Sequence, residues 1–209
     1  MPSLKEIRRR IGGTKDIQKI TRAMQTVAGV RLRRAQDQLF AARPYSDKMK
    51  QLLQHLSAQA DKNAHPLLAE REVRASVLVV VTADRGFCGS FNSNVIRRAL
   101  ETHSATDLPP SLICIGRKGA ETLKRSKVNI IEGYLNVFQA LEYSDAMDIA
   151  DQLVGMYTAG EIDRVDVLYN EFKSAGQQNL VLEQLLPVVP ETPKEDPFFT
   201  GYIYEPSQA

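Results

Sequence analysis

A length of 209 residues with 43% hydrophobic and 25% charged side chains fits an ordinary globular protein of one domain or two. Two cysteines at no metal or redox spacing, Cys88 and Cys114, and three scattered histidines, His55, His65 and His103, argue against metal chemistry and for reduced thiols. Nothing resembles a signal peptide. The longest apolar run, 77–81, is far too short to cross a bilayer, so membrane association is expected only through partners.

The net charge of +2 hides an asymmetry. Residues 1–43 carry eleven Lys and Arg against three acids, and residues 44–209 carry sixteen against twenty-two. A basic segment on an acidic body calls for an acidic counterpart: nucleic acid, an anionic membrane surface or an acidic protein sleeve. A solvated helix face is the plainer alternative.

Residues 3–57 are expected to form one long helix. Leu4, Ile7 and Ile11, then Ile17, Ile20, Met24 and Val27, then Ala28, Leu32, Ala35, Leu39 and Ala42 recur three and four apart, the spacing of a coiled-coil seam. At ~1.5 Å per residue the rod would be roughly 80 Å long, more than a domain of this size covers with its own surface. Ser3 and Glu6 have the spacing of a capping box. Gly12, Gly13 and Gly29 weaken the helix, the heptad slips between Ile11 and Ile17, and Pro44 is expected to kink it.

A polar stretch over 61–74 reads as a linker. Beyond it, 75–82 is an unbroken β-branched run, as in a strand buried on both faces of a parallel sheet. A helix over 94–103, a strand over 111–116, a short helix over 119–126, a weaker strand over 128–133 and an amphipathic helix over 143–159 follow. Strands over 164–172 and 179–186 close the unit. The alternation predicts an α/β fold, a three-layer Rossmann-like domain with a parallel-rich sheet over 75–186. Half of the ten prolines lie in 187–209, which reads as an extended strap.

The turn Asp84-Arg-Gly-Phe-Cys-Gly89, between strand and helix, occupies the place where doubly wound folds bind phosphate. Its spacing fits neither G-x-G-x-x-G nor G-x-x-x-x-G-K-[ST], and no lysine lies in the loop. The structural alternative has Gly86 and Gly89 relieving a tight turn, Asp84 or Asn92 bonding the local backbone, and Ser93 capping the helix. Cys88, between Phe87 and an apolar Phe91, reads as filler. Asp145, Asp148 and Asp151 read as a solvated helix face. No catalytic residue, cofactor site or metal site is assigned.

The rod Lys15-Asp-Ile-Gln-Lys-Ile-Thr-Arg-Ala-Met24, with Arg31-Leu-Arg-Arg-Ala-Gln36 and Ala42-Arg-Pro-Tyr45, and the turn from Asp84 to Asn94 resemble the gamma subunit of F-type ATP synthases. Ile115-Gly-Arg-Lys-Gly119, Glu183-Gln-Leu-Leu-Pro187 and Tyr202-Ile-Tyr-Glu-Pro206 are similar to that family in the same order. The resemblance implies a non-catalytic central stalk that couples ion flow through a membrane sector to ATP synthesis or hydrolysis on beta subunits. It implies alpha and beta subunits around residues 1–60, and an epsilon subunit and a c-subunit ring at the α/β domain, peripherally on the cytoplasmic side of a bacterial inner membrane. Lys19, Arg22, Arg31, Arg33 and Arg34 would face acidic loops of the ring, Met24 and Val27 would offer apolar contacts, and Tyr202 and Tyr204 would be further partner contacts. The family's long C-terminal helix has no counterpart here, so the resemblance reads the chain as a truncated form, a fragment or an unusual relative with its seam exposed. The rival readings are a nucleic-acid-binding protein using the basic helix, which holds only Phe40 and Tyr45 as aromatics, and a small nucleotide-binding enzyme using the Gly86 to Gly89 turn.

Overall fold

The computed structural model describes residues 3–59, 65–139 and 141–189. The chain divides into two compact units, one ending at Leu53 and the other beginning at Gln54.

The first unit consists of one helix, α1, which runs Leu4–Gln59 and whose last residues, from Gln54, belong to the second unit. Ser3 caps it: the Glu6 amide donates to Ser3 Oγ at 3.3 Å. The Glu6 carboxylate, expected to complete a capping box, accepts instead from Arg10 one turn on, at 3.0 Å. The helix continues through Gly12, Gly13, Gly29 and Pro44 without a break. Pro44 interrupts one backbone hydrogen bond, and the turns on either side hold the helix across that gap. A Cβ at any of the three glycines would meet nothing, so among the described residues none is required by a close neighbour.

The second unit is a five-stranded sheet in the order β3-β2-β1-β4-β5. Chain order is β1 (Ser76–Val81), α2 (Phe91–Ser104), β2 (Ser111–Ile115), α3 (Arg117–Leu123), β3 (Ile130–Tyr134), α4 (Tyr143–Thr158), β4 (Arg164–Ser174) and β5 (Gln177–Leu186). β1 lies in the middle, parallel to both β2 and β4. Its alternating side chains divide between two cores. Val77 and Val79 join Ile113 and Val165 beneath Ile149, Leu153 and Tyr157 of α4. Leu78 and Val80 join Leu112, Cys114 and Leu168 beneath Val95 and Ala99 of α2 and Leu123 of α3. Helices therefore cover both faces, which is why β1 is apolar from Val77 to Val81. Each such side chain contributes about 1.5–3 kcal/mol on burial.

Only β5 is antiparallel. It returns from β4 through the two-residue turn at Ala175 and Gly176, with Ser174 opposite Gln177. A parallel partner would need a crossover of a dozen residues or more, and the chain supplies none there. The fold is thus the α/β class expected, with the sheet parallel except at that edge.

The stretch read as a linker is structured where described. Residues 66–68 form a 3-10 turn, and Leu67 packs on the α4-side core.

Burial separates the two thiols. Cys88 is exposed, whereas Cys114 is buried and its pKa is pushed up to about 11 by desolvation. At neutral pH the native protein is expected to react with a thiol reagent once, at Cys88, and a second time only on unfolding. Two fast equivalents in the native state would contradict the packing of β2.

Candidate functional site

Two surfaces concentrate the residues that sequence alone brought forward. The first is α1. Its seam side chains stand exposed from Ile7 at 42% to Leu4 at 67%, with Ile17, Ile20, Met24 and Val27 between these values. At about 100° per residue, Lys19, Arg22 and Arg33 fall within about 60° of one another on the side opposite Ile17, Ile20, Met24 and Val27. Arg31 falls instead among those apolar residues, and Arg34 at their border. The helix therefore brings Lys19, Arg22 and Arg33 to one face and Met24 and Val27 to another. All seven are exposed. Lys19 is paired along the helix with Asp16 at 3.6 Å. Tyr202 and Tyr204 lie outside the described residues.

The second surface is the cluster of loops at the C-terminal ends of β1, β2 and β3. Thr82 sits at its base, 1% exposed. Its Oγ accepts from the Gly119 amide at 2.8 Å, and the Thr82 amide donates to Ile115 O at 2.8 Å. Asp84 does not bond its local backbone, as the sequence reading allowed. Its Oδ1 accepts from the amides of Arg117 and Asn136, each at 2.9 Å, and so ties the loop after β1 to those after β2 and β3. Asn92 supplies the local bonds: Oδ1 accepts from Ala83 N at 2.9 Å and Nδ2 donates to Arg85 O at 3.2 Å. Ser93 is not the cap. The N-cap is Ser90, and the Ser93 hydroxyl donates to Ser90 O at 3.2 Å.

On this base stands a tip. Phe87 takes a left-handed φ of 57° and its side chain is wholly exposed. Beside the tip a groove of about 750 Å³ runs between α2 and α3, lined by Phe87, Cys88, Ile96, Arg97, Leu100 and Lys118. Thus the polar side chains of this turn hold loops together, and its apolar tip faces outward. That arrangement suits contact with another macromolecule better than the cradling of a phosphate.

Comparison with known proteins decides the family. A model of the family described as ATP synthase matches residues 3–209. ATP synthase gamma chains from Pelodictyon phaeoclathratiforme and Chlorobaculum tepidum are 46% and 44% identical over 99% and 100% of this chain. This chain belongs to the ATP synthase gamma family. It spans 73% and 74% of those two gamma chains. Among solved structures, a chain from the Tetrahymena thermophila mitochondrial ATP synthase, central stalk and c-ring, superposes with a TM-score of 0.65 at 26% identity, over 80% of this chain and 72% of that one. A chain from the rotor of the Euglena gracilis mitochondrial ATP synthase shares the fold, with a TM-score of 0.58 at 20% identity, over 86% of this chain and 61% of that one.

Gamma chains are non-catalytic, peripheral subunits of a membrane-associated complex, so membership assigns this chain a mechanical place and not a reaction. None of the described helices is long and apolar enough to cross a membrane. The nucleic-acid reading of the basic helix finds no support in any comparison. What sequence reasoning missed in the gamma fold is the cross-tie made by Asp84 and the packing of Gly116 and Gly119 on Thr82. A short motif with two glycines after a predicted strand was the available signal.

Proposed function

We propose that this chain acts as the rotating central stalk of an ATP synthase, coupling ion flow through the membrane sector to ATP synthesis and hydrolysis on other subunits. The observation that carries the reading is α1: a helix of 56 residues whose apolar seam stands exposed from Leu4 to Leu32, in a stretch, residues 1–43, that carries eleven basic side chains against three acids. Such a seam leaves water only against other polypeptide, and such a charge selects an acidic surface.

The ring of alpha and beta subunits surrounds α1, with acidic loops facing Lys19, Arg22, Arg31, Arg33 and Arg34, and apolar contacts at Met24 and Val27. Epsilon and the c-subunit ring bind the α/β unit, where Tyr202 and Tyr204 add contacts. The complex sits on the cytoplasmic side of a bacterial inner membrane. A stiff shaft of uneven surface presses differently on otherwise equivalent subunits and so biases each toward a different conformation by differential contact energy. The α/β domain over 75–186 is the foot, joined to the shaft by the linker over 61–74 and followed by the proline-rich strap over 187–209. Copurification tests this: alpha and beta subunits are expected to accompany the chain through an affinity column, and recovery of the chain alone from cells that hold them would defeat the reading.

A further inference from the structure

The segment that leads into β1 is fastened at one place to the chain after β5 and at two to the junction of α4 and β4. Leu67 O accepts from the Val188 amide at 2.9 Å, which joins the chain before β1 to the chain after β5. Asp163, between α4 and β4, accepts from the amides of Arg74 and Ala75 at 3.0 and 3.2 Å, and its own amide donates to Ala75 O at 2.8 Å. The Tyr157 hydroxyl, rising from the buried core, donates to Ala69 O at 2.8 Å.

Arg71 closes this arrangement. Its guanidinium lies over the Tyr157 ring, 4.4 Å from the centroid. Nη2 donates to Tyr157 O at 2.9 Å, at the C-terminal end of α4, where a cation is favoured by the helix dipole. Nη1 is 4.0 Å from the Asp163 carboxylate. One planar, always charged group thus holds a ring face, a helix end and an acid, a combination that lysine with its single point charge cannot reproduce.

We propose that residues 67–75 form a belt that pins the points where the chain enters and leaves the α/β unit to one place, with Arg71 as the positioning residue that keeps the belt closed under mechanical load. The inference rests on the central-stalk reading. The chain passes from α1 through the belt to reach β1, and it passes Val188 on leaving β5. Load on either connection therefore falls first on the Leu67, Arg71 and Asp163 contacts. Tyr157 and Leu67 carry that load into the α4-side core. Without Arg71 the belt keeps the Leu67–Val188 backbone bond and the Asp163 and Tyr157 hydrogen bonds, but loses the one group that joins the end of α4 to Asp163 across it.

The test uses the assembled complex carrying this chain with Arg71→Ala, and with Arg71→Lys as a milder second variant. Gradient-driven ATP synthesis is expected to fall about fivefold or more in Arg71→Ala. ATP hydrolysis measured with the ion gradient collapsed, where the shaft turns without load, is expected to stay within about twofold of the parent, and Arg71→Lys to lie between the two. Amide hydrogen exchange on the gamma chain alone is expected to accelerate at Val188, Arg74 and Ala75 and to leave the β1 amides unchanged. Equal synthesis in variant and parent would overturn the proposal. So would loss of loaded and unloaded turnover in equal measure, which marks a merely structural role, or unchanged exchange at Val188. Failure of the parent chain to assemble would strike the central-stalk reading instead, while the exchange measurement still reports on the belt.

Discussion

Arg22→Glu or Arg33→Glu is expected to lower the number of ions pumped per ATP hydrolysed by the assembled complex, by roughly tenfold at low salt, and to change nucleotide binding little. Both side chains lie on the face of α1 opposite Met24 and Val27, and both are exposed. Against acidic loops, reversal turns attraction into repulsion, and like charges brought together cost several kcal/mol. Lys19→Glu is expected to do less, because Asp16 at 3.6 Å already offsets the charge of Lys19 within the helix. The effect should shrink as salt rises, since the Debye length falls to about 3 Å at 1 M. Pumping per ATP equal to that of the parent in both reversals would refute the assignment of this face.

Alanine at Gly116 is expected to be the most damaging small substitution in the α/β unit, costing about 3 kcal/mol or more in thermal or denaturant unfolding. Gly116 has φ +96°, and a Cβ there would lie 2.0 Å from the Thr82 carbonyl oxygen. The obstacle is backbone at the first residue after the central strand, so relief requires the end of β1 or of β2 to shift. Gly119 meets a different obstacle: its Cβ would lie 2.7 Å from Thr82 Oγ and 2.9 Å from Cγ2. Thr82→Ala should therefore rescue part of the loss in Gly119→Ala and none of the loss in Gly116→Ala, a contrast that a double-mutant cycle reads directly. Gly29→Ala, with nothing around the added atom, should raise helix content and stabilise α1 by about 1 kcal/mol. Additive losses for Thr82 and Gly119 would mean that the two are not in contact.

Acid should loosen the belt by a route that can be followed. Asp163 is held below the usual carboxylate range, chiefly by the amides of Arg74 and Ala75, with the Arg71 and Arg74 charges adding to them. A carboxyl depressed in the folded state contributes stability above its unfolded pKa and loses it as pH falls through the folded value. Unfolding measured against pH should show a loss below about pH 4 that Asp163→Asn removes. An unchanged acid limb in that variant would place the loss elsewhere.

The periodic parts of the fold were legible because burial imposes its own period on sequence. The seam from Leu4 to Ala42 could only be a helix, and the β-branched run around Leu78 only a strand covered on both faces. Less legible were contacts whose partners lie far along the chain. Asp84 reads locally as a turn residue, but its acceptor serves Arg117 and Asn136. Similarly, 61–74 reads as a linker from its polarity, yet Arg71 and Leu67 bind Tyr157 and Val188. Ser93 had the expected residue type for a cap, and the helix began earlier, at Phe91.

The sequence by itself determined a long basic amphipathic helix, an α/β unit and membership of the gamma family, since charge, period and motif order are properties of the chain read in line. Only the tertiary structure decided which loops Asp84 joins, why glycine stands at 116 and 119, and that the chain before β1 closes on the chain after β5. Those facts depend on distances between residues remote in sequence, which are set when both faces of the sheet are packed.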